Sequence, residues 1–193
     1  ALKLCARFPL DYWLKRDREG GFPEQFYRAV ADAGWLGIAT PEAYGGADLG
    51  IAAAAVFMQA VGESGGAVAA CSSIHMNIFG LQPVVVFGSE AQKQRFLPPL
   101  IRGEEKACFA VTEPDAGLNT TRLKTFARRD GDRYLISGKK VWISTAQVAD
   151  HVLLLARTTP IDEVRKPTEG LSLFYTKFDR TRTHLSVSSV VLT

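Results

Sequence analysis

The first half of the chain repeats its apolar positions with the period of an α-helix. The period runs through residues 2–17, where Pro9 interrupts it, and again through residues 23–35, where Pro23 suits a first helical turn. Phe26 and Val30 lie on one face of the second segment. The pattern therefore predicts two amphipathic helical segments near the N-terminus.

Two longer segments, residues 50–62 and 66–87, are apolar around almost their whole circumference. Helices of this kind are buried in a bundle, and Pro83 is expected to kink the second one. A capping-box signature at Ser89 then predicts a helix over residues 90–101. Residues 1–105 are thus expected to form a helical domain.

After residue 105 the apolar positions alternate with period two, as in β-strands. The strand-length segments are residues 108–111, 123–128, 134–137, 140–144, 152–157 and 171–177, with a last alternating run over residues 184–193. Short turn-forming connectors predict an antiparallel meander or barrel over residues 106–193. The expected fold class is α+β, a helical bundle followed by an antiparallel β domain.

Composition and charge narrow the function classes. The 193 residues are 47% hydrophobic and 22% charged, which is ordinary for a globular protein. A net charge of +3 is too small to indicate a nucleic-acid partner. The basic pairs Arg128-Arg129 and Lys139-Lys140 are expected on the solvated surface.

The cysteines indicate a reducing compartment. Cys5, Cys71 and Cys108 are far apart in the sequence, and their spacing gives neither a disulfide framework nor a zinc site. No apolar run is expected to span a membrane. A bacterial cytoplasmic location is therefore expected from the cysteines. The chain does not begin with Met, and a mitochondrial matrix location is the alternative if a targeting segment precedes it.

Two segments carry candidate chemistry. Residues 107–121 begin as a buried strand and break abruptly over Glu113–Gly117, so that the strand end can bind a polar ligand. In residues 138–144, Trp142 and Ser144 alternate, and a strand would place both on one side.

These segments resemble the flavin-binding signatures of the acyl-CoA dehydrogenase family, aromatic-x-Val-Thr-Glu-Pro-x-Ala-Gly and Gly-x-Lys-x-Trp-Ile-[Ser/Thr]. Residues 41–46 also resemble the family's Pro-Glu-x-Tyr-Gly-Gly loop. The resemblance covers about residues 20–180. The common NAD, phosphate, zinc and serine-hydrolase motifs do not occur in the sequence.

The resemblance implies an FAD cofactor and a set of residues that contact it. By position these residues are Phe109, Val111, Thr112, Gly117, Leu118, Trp142 and Ser144. Ser144 would stand beside the flavin N5. Leu118 departs from the family, which commonly has serine there, although neighbouring groups could replace its hydroxyl. Read without the resemblance, Thr112 could cap a turn and Trp142 could belong to the core.

The resemblance also implies a substrate site. Ser72, His75 and Phe79 share one helix face, which lines the acyl cavity in the family, and Leu118 lies near the thioester. A bulky Phe79 is expected to shorten or bend that cavity. Alternatively, His75 is a core histidine bonded to a backbone carbonyl.

No catalytic residue is expected in this chain. In the family the base is a glutamate of a four-helix C-terminal domain, which the sequence does not include, and neither Glu63 nor Glu113 is expected to replace it. Full-length members oxidise an acyl-CoA to the 2,3-enoyl-CoA, pass electrons to an electron-transfer flavoprotein and form homo-oligomers. The alternatives are an oxidase or flavin monooxygenase of the same fold, or a non-catalytic remnant that binds flavin, acyl-CoA or a partner.

Overall fold

The computed structural model describes residues 1–179, 181 and 186, and the chain divides into two compact units after Ala107. The first unit is helical and the second contains a β-sheet. The strand expected over residues 184–193 lies, apart from Ser186, outside the described residues. The α+β organisation is confirmed.

The first unit contains seven α-helices. They are α1 (Leu2–Cys5), α2 (Leu10–Glu19), α3 (Glu24–Asp32), α4 (Gly50–Gly62), α5 (Ala67–Phe79), α6 (Gln82–Phe87) and α7 (Glu90–Ile101). Helix α4 matches its expected bounds. The expected helix over residues 66–87 is instead two helices, because the chain turns at Gly80 and Leu81 before Pro83 enters the first turn of α6.

A capping box starts helix α7 as the sequence predicts. The side chain of Ser89 accepts a hydrogen bond from the amide of Gln92, and the side chain of Gln92 accepts one from the amide of Ser89. These two bonds satisfy amides that the first helical turn leaves without intrahelical partners.

The core of the helical unit is aromatic and aliphatic. Phe26, Tyr27 and Val30 of α3 and Ile74 of α5 are fully buried, and Trp13 packs edge-to-face on Phe26. Residues spaced by three and four positions on α3 supply its buried face, as the helical period predicts.

The segment Ala67–Phe87 is long and apolar enough to cross a membrane, contrary to the expectation that no run would be. However, 44% of its most apolar window is buried inside the protein, and the segment breaks between α5 and α6. A core helix has this same composition, so we describe the segment as part of the helical core.

The described residues of the second unit form five strands. They are β1 (Ala107–Ala110), β2 (Phe126–Asp130), β3 (Arg133–Ser137), β4 (His151–Arg157) and β5 (Leu171–Lys177). Strand β4 is central, because it pairs with β5 along its whole length and also with β1 and β2. The β2–β3 and β4–β5 hairpins are antiparallel, as expected.

The sheet is mixed and is not the simple antiparallel meander that alternation suggests. Strands β2 and β4 run parallel and meet at one pair, Phe126 opposite Arg157. Residues 140–144, expected as a strand, form none, and they turn back beside the end of β1. Alternation fixes which residues face the core, but it does not specify the strand partner.

Candidate functional site

The end of strand β1 is a tight turn closed by its own backbone. The amide of Glu113 donates to the carbonyl of Ala116 at 3.0 Å, and the amide of Ala116 donates back at 3.2 Å. Pro114 and Asp115 form the exposed tip between them. The turn expected from the Glu-Pro-x-Ala-Gly segment is therefore present.

Glu113 is buried behind this turn and anchors two separate segments. Its carboxylate accepts hydrogen bonds from the amide of Lys124 at 2.6 Å, the amide of Thr125 at 2.9 Å and the Lys140 Nζ at 2.9 Å. The Lys140 Nζ also donates to the carbonyl of Val111 at 2.9 Å. The two signature segments are thus tied together through one buried ion pair.

Burial and hydrogen bonds shift the pKa of the Glu113 carboxyl group in opposite directions. Burial acts to raise this pKa, but the hydrogen bonds from the amides of Lys124 and Thr125 and from Lys140 outweigh it and lower it to about 2. Burial lowers the pKa of Lys140, while Glu113 acts in the opposite direction. Glu113 is therefore ionised at neutral pH and fully engaged, which makes it unsuited to act as a base.

Lys140 corrects one expectation from the sequence. We expected the pair Lys139-Lys140 on the solvated surface, but only 9% of the Lys140 side chain is exposed, and only Lys139 lies on the surface. The partner of Lys140 is 27 positions away in the chain. Local charge patterning could not have identified it.

Trp142 lies in a left-handed turn instead of a strand. Its φ is +59°, that of Thr145 is +71°, and the amide of Val141 just before it donates to the carbonyl of Thr112 at 2.9 Å. The Trp142 side chain is 63% exposed and Ser144 is exposed, whereas Ile143 packs against the core of the β unit.

Just before this turn, the backbone of Gly138 passes close to Thr125. A Cβ atom on Gly138 would lie 2.2 Å from the Oγ1 of Thr125, which is buried. Only glycine therefore fits there without displacement of the chain. This contact brings residues 138–141 against the segment that Glu113 also anchors.

The residues predicted to bind the cofactor cluster around the β1 end and the Trp142 turn. Phe109 is 40% exposed, Leu118 is fully exposed, and a Cβ on Gly117 would meet no atom within 4 Å. Val111 and Thr112 are half-buried, and their carbonyls are held by Lys140 and by the amide of Val141.

Two hydroxyl groups remain available beside these exposed apolar side chains. Within the described part of the chain, neither the Thr112 nor the Ser144 hydroxyl makes a hydrogen bond. Exposed aromatic side chains with free donors fit a flat heteroaromatic ring such as that of a flavin. The described residues form no group of His, Cys, Asp and Glu that could hold a metal ion.

The predicted substrate residues lie on one face of helix α5. Ser72, His75 and Phe79 are all half-buried, and Phe79 packs partly against the helical core. The His75 Nδ1 lies 3.0 Å from the carbonyl of Ser72 one turn earlier. This contact matches the interpretation of His75 as a histidine bonded to the backbone, and it leaves the other ring nitrogen available.

The conformation of the loop over residues 40–46 also depends on constraints of its backbone. Gly45 has a φ of +87°, and a Cβ on Gly46 would lie 1.9 Å from the carbonyl oxygen of Thr40. The Tyr44 hydroxyl donates to Glu90 at the start of α7. The two glycines of the loop are therefore a steric requirement of its conformation.

An open cleft of about 730 Å³ on the β unit is lined by Asp115 and Lys124 among others and includes none of the predicted cofactor residues. Arg157 lines it, although its side chain is almost wholly buried. The guanidinium donates to the carbonyls of Thr121, Pro167 and Glu169 at 2.7–3.1 Å. These bonds give Arg157 a structural role in tying two loops to β4.

Comparison with protein families matches nearly the whole chain. Residues 3–104 match the family model "Acyl-CoA dehydrogenase, N-terminal domain" and residues 108–190 match "Acyl-CoA dehydrogenase, middle domain".

Individual relatives agree with these matches. A 3-(aryl)acrylate reductase of Clostridium sporogenes is 32% identical over 82% of this chain and 41% of its own length. The mitochondrial isovaleryl-CoA dehydrogenase of Pongo abelii is 34% identical over 74% of this chain and 34% of its own length. The chain thus spans less than half the length of either relative.

A solved structure gives the same result for the fold. A glutaryl-coenzyme A dehydrogenase in complex with glutaryl-CoA superimposes with a TM-score of 0.81 at 29% identity. The superposition covers 91% of this chain and 44% of that structure.

Proposed function

Because the chain belongs to the acyl-CoA dehydrogenase family, we propose that it carries the flavin-binding half of an enzyme that oxidises an acyl-CoA thioester to the 2,3-enoyl-CoA. The observation that carries the proposal is the cluster at the end of β1. There, exposed Phe109 and Trp142 and the free hydroxyls of Thr112 and Ser144 lie on segments joined by the Glu113–Lys140 pair.

The cofactor proposed for this cluster is FAD, which when bound supplies the acceptor for the hydride from the substrate β-carbon. Trp142 and Phe109 would contact the ring system with their aromatic faces. The hydroxyls of Thr112 and Ser144 would donate hydrogen bonds to its polar edge, and the backbone of Gly117 and Leu118 would lie beside it. The chain's contribution is to hold and orient the ring.

The proton on the substrate α-carbon needs a base, and neither Glu113 nor Glu63 supplies one. Glu113 is ionised and saturated with hydrogen bonds, and Glu63 is bonded to Gln59 on its own helix. We therefore assign no catalytic residue within this chain.

An absorbance titration of the purified chain with FAD tests the cofactor assignment. We expect a bound-flavin spectrum that is lost or strongly weakened in Trp142→Ala. Tyr134→Ala is the matched control, because Tyr134 is also an exposed aromatic residue of the β unit but lies on β3. Equal weakening by both substitutions would contradict a specific role for Trp142.

The acyl group is proposed to meet the α5 face of Ser72, His75 and Phe79. Phe79→Ala, made at the matching position of a full-length homologue, should then shift preference toward longer acyl-CoAs, because it removes a ring from that face. Comparing kcat/KM for short and long acyl-CoAs measures the shift, and an unchanged preference would contradict this placement.

Further elements of the proposal follow from the family and not from the described contacts. An electron-transfer flavoprotein would accept the electrons, the full-length protein would be a homo-oligomer, and the compartment would be reducing. The three cysteines form no disulfide, in keeping with a reducing compartment such as the cytoplasm.

A second candidate, a non-catalytic binding protein, is favoured by one observation. Leu118 is fully exposed and offers no hydroxyl at a position where the family commonly has serine. Stopped-flow reduction of the flavin in the full-length protein by acyl-CoA decides between the two candidates. Rapid reoxidation by oxygen after such reduction would instead indicate an oxidase.

A further inference from the structure

Four hydrogen bonds converge on the Glu113–Lys140 pair and fix the backbone on both sides of the candidate flavin site. Glu113 binds the amides of Lys124 and Thr125, and Lys140 binds Glu113 and the carbonyl of Val111, at 2.6–2.9 Å. Their side chains are 5% and 9% exposed. Val111 precedes Thr112, and Lys140 stands two residues before Trp142.

A second contact carries this constraint to Trp142 itself. The amide of Val141 donates to the carbonyl of Thr112. Val141 directly precedes Trp142, and the hydroxyl of Thr112 is free. Thr112 and Trp142 are therefore positioned by one shared set of bonds, although they lie on different segments.

The backbone at Trp142 needs such support. A non-glycine residue with a φ of +59° is strained, and strained residues persist where the surrounding structure over-determines them. A buried ion pair is weak evidence for stabilisation, because well-packed apolar residues in its place often make a protein as stable. Unlike apolar residues, the two charged groups must meet at hydrogen-bonding distance, which restricts the backbone segments that carry them. Here one of those segments leads into the turn bearing Trp142.

We infer that Glu113 and Lys140 are positioning residues, which hold the Trp142 turn against the end of β1 so that Trp142 and Thr112 can contact one ligand. The expected effect on flavin binding rests on the proposed function. The positioning of the Trp142 turn by Glu113 and Lys140 does not depend on it. The pair acts through Val111, Thr112 and Val141 and touches no ligand.

The first test follows Trp142 without any flavin. Labelling with 5-fluorotryptophan gives a ¹⁹F resonance for each of Trp13, Trp35 and Trp142, and Trp142→Phe identifies the third. In Lys140→Gln we expect the Trp142 resonance to shift or broaden. The resonances of Trp13 and Trp35, both in the helical unit, should stay in place.

Lys139→Gln is the matched control, because Lys139 is adjacent to Lys140 but exposed. It should leave all three resonances unchanged. An unchanged Trp142 resonance in Lys140→Gln would overturn the inference. If Lys140→Gln does not fold, Lys140→Arg keeps a cation beside Glu113, and its Trp142 resonance must lie between those of the wild type and a Glu113→Gln/Lys140→Arg variant.

The second test measures affinity for FAD in the same variants. Removing a group that orients a metal ligand typically costs about 10–100-fold in affinity, and by analogy Lys140→Gln should weaken FAD binding about tenfold or more. Lys139→Gln should not weaken it. Exchanging the two residues as Glu113→Lys/Lys140→Glu should not restore binding, because the amides of Lys124 and Thr125 need an acceptor at position 113.

The two proposals fail in different ways. A Trp142 resonance that responds to Lys140→Gln in a chain with no FAD affinity would support the positioning role and contradict the cofactor. FAD binding that is lost in Trp142→Ala but unchanged in Lys140→Gln would support the cofactor and contradict the positioning role.

Discussion

At the scale of single residues, Glu113 shows how a carboxylate is kept ionised in a buried position. Burial alone would raise its pKa, and two backbone amides with one ammonium group reverse that effect. The folded-state pKa of about 2 lies below the ordinary value of 4.5. The folded state therefore binds this proton more weakly than the unfolded state does.

This difference predicts an acid-sensitive β unit. The stabilisation from Glu113 is present above pH 4.5, is lost as the pH falls toward 2, and amounts to about 3 kcal/mol. Glu113→Gln should lower the free energy of unfolding by a similar amount at neutral pH and flatten its dependence in that window. Urea unfolding at a series of pH values measures both.

The exposed pair Asp115–Lys124 provides the control for this measurement. Its ions are 2.8 Å apart, but both side chains are more than two-thirds exposed, so water screens the interaction. Asp115→Asn should leave the stability at neutral pH nearly unchanged. A loss as large as that in Glu113→Gln would contradict the importance of burial.

The residues of the candidate site could be predicted from the sequence more readily than the contacts between them. Phe109, Thr112 and Trp142 lie in recognisable segments, Phe109 and Trp142 are exposed, and the binding role of all three stays a prediction. Lys140 could not be recognised as buried, because its position depends on Glu113 and on the fold between them. Ion pairs between distant residues have no local signal.

At the scale of elements, helix α5 is held by a polar contact inside an apolar core. The Asn77 Nδ2 lies 2.8 Å from the Tyr27 hydroxyl, 2.8 Å from the Leu100 carbonyl and 3.2 Å from the Glu105 carbonyl. Asn77 is 3% exposed. One side chain thereby joins α5 to α3 and to the end of α7.

Replacing Asn77 should be costly for this reason. Asn77→Leu removes buried hydrogen bonds to the Tyr27 hydroxyl and to the carbonyls of Leu100 and Glu105, and should lower the free energy of unfolding by about 1–3 kcal/mol. Thermal or urea unfolding followed by circular dichroism measures the change. Gln59→Leu removes an exposed amide that bonds only Glu63 on the same helix, and it should change little.

The elements themselves were unequally predictable. Helix α4 is an apolar segment with a glycine at each end, and helix α7 begins at a capping box, so their bounds follow from local sequence. Residues 140–144 alternate like a strand but form a turn, because the amide of Val141 bonds to Thr112 and Trp142 adopts a left-handed conformation. Alternation indicates which side chains face inward. Ile143 would face inward in the expected strand, and it also faces inward in the observed turn.

At the scale of the whole molecule, exposed apolar side chains predict self-association. On helix α4, Ile51 and Val56 are 49% and 66% exposed, and Val68 at the start of α5 is 81% exposed. The net charge of +3 offers only weak repulsion between copies. Light scattering at increasing concentration should therefore show a rising apparent mass.

Polar substitution at these exposed positions should reduce the effect. Ile51→Lys/Val56→Lys should lower the apparent mass at a given concentration, whereas Lys3→Gln, on α1, should not. A wild-type chain that remains monomeric at high concentration would contradict the prediction.

The left-handed turn at Trp142 has a consequence for how such a chain changes under selection. Asparagine or glycine adopts this conformation at lower cost, and about 1–2 kcal/mol is a large share of the net stability of an ordinary domain. Variants chosen from a random library for heat resistance alone should therefore lose the indole at this position. Variants chosen for a coloured, ligand-bound protein should keep it. The two screens would therefore select different residues at position 142.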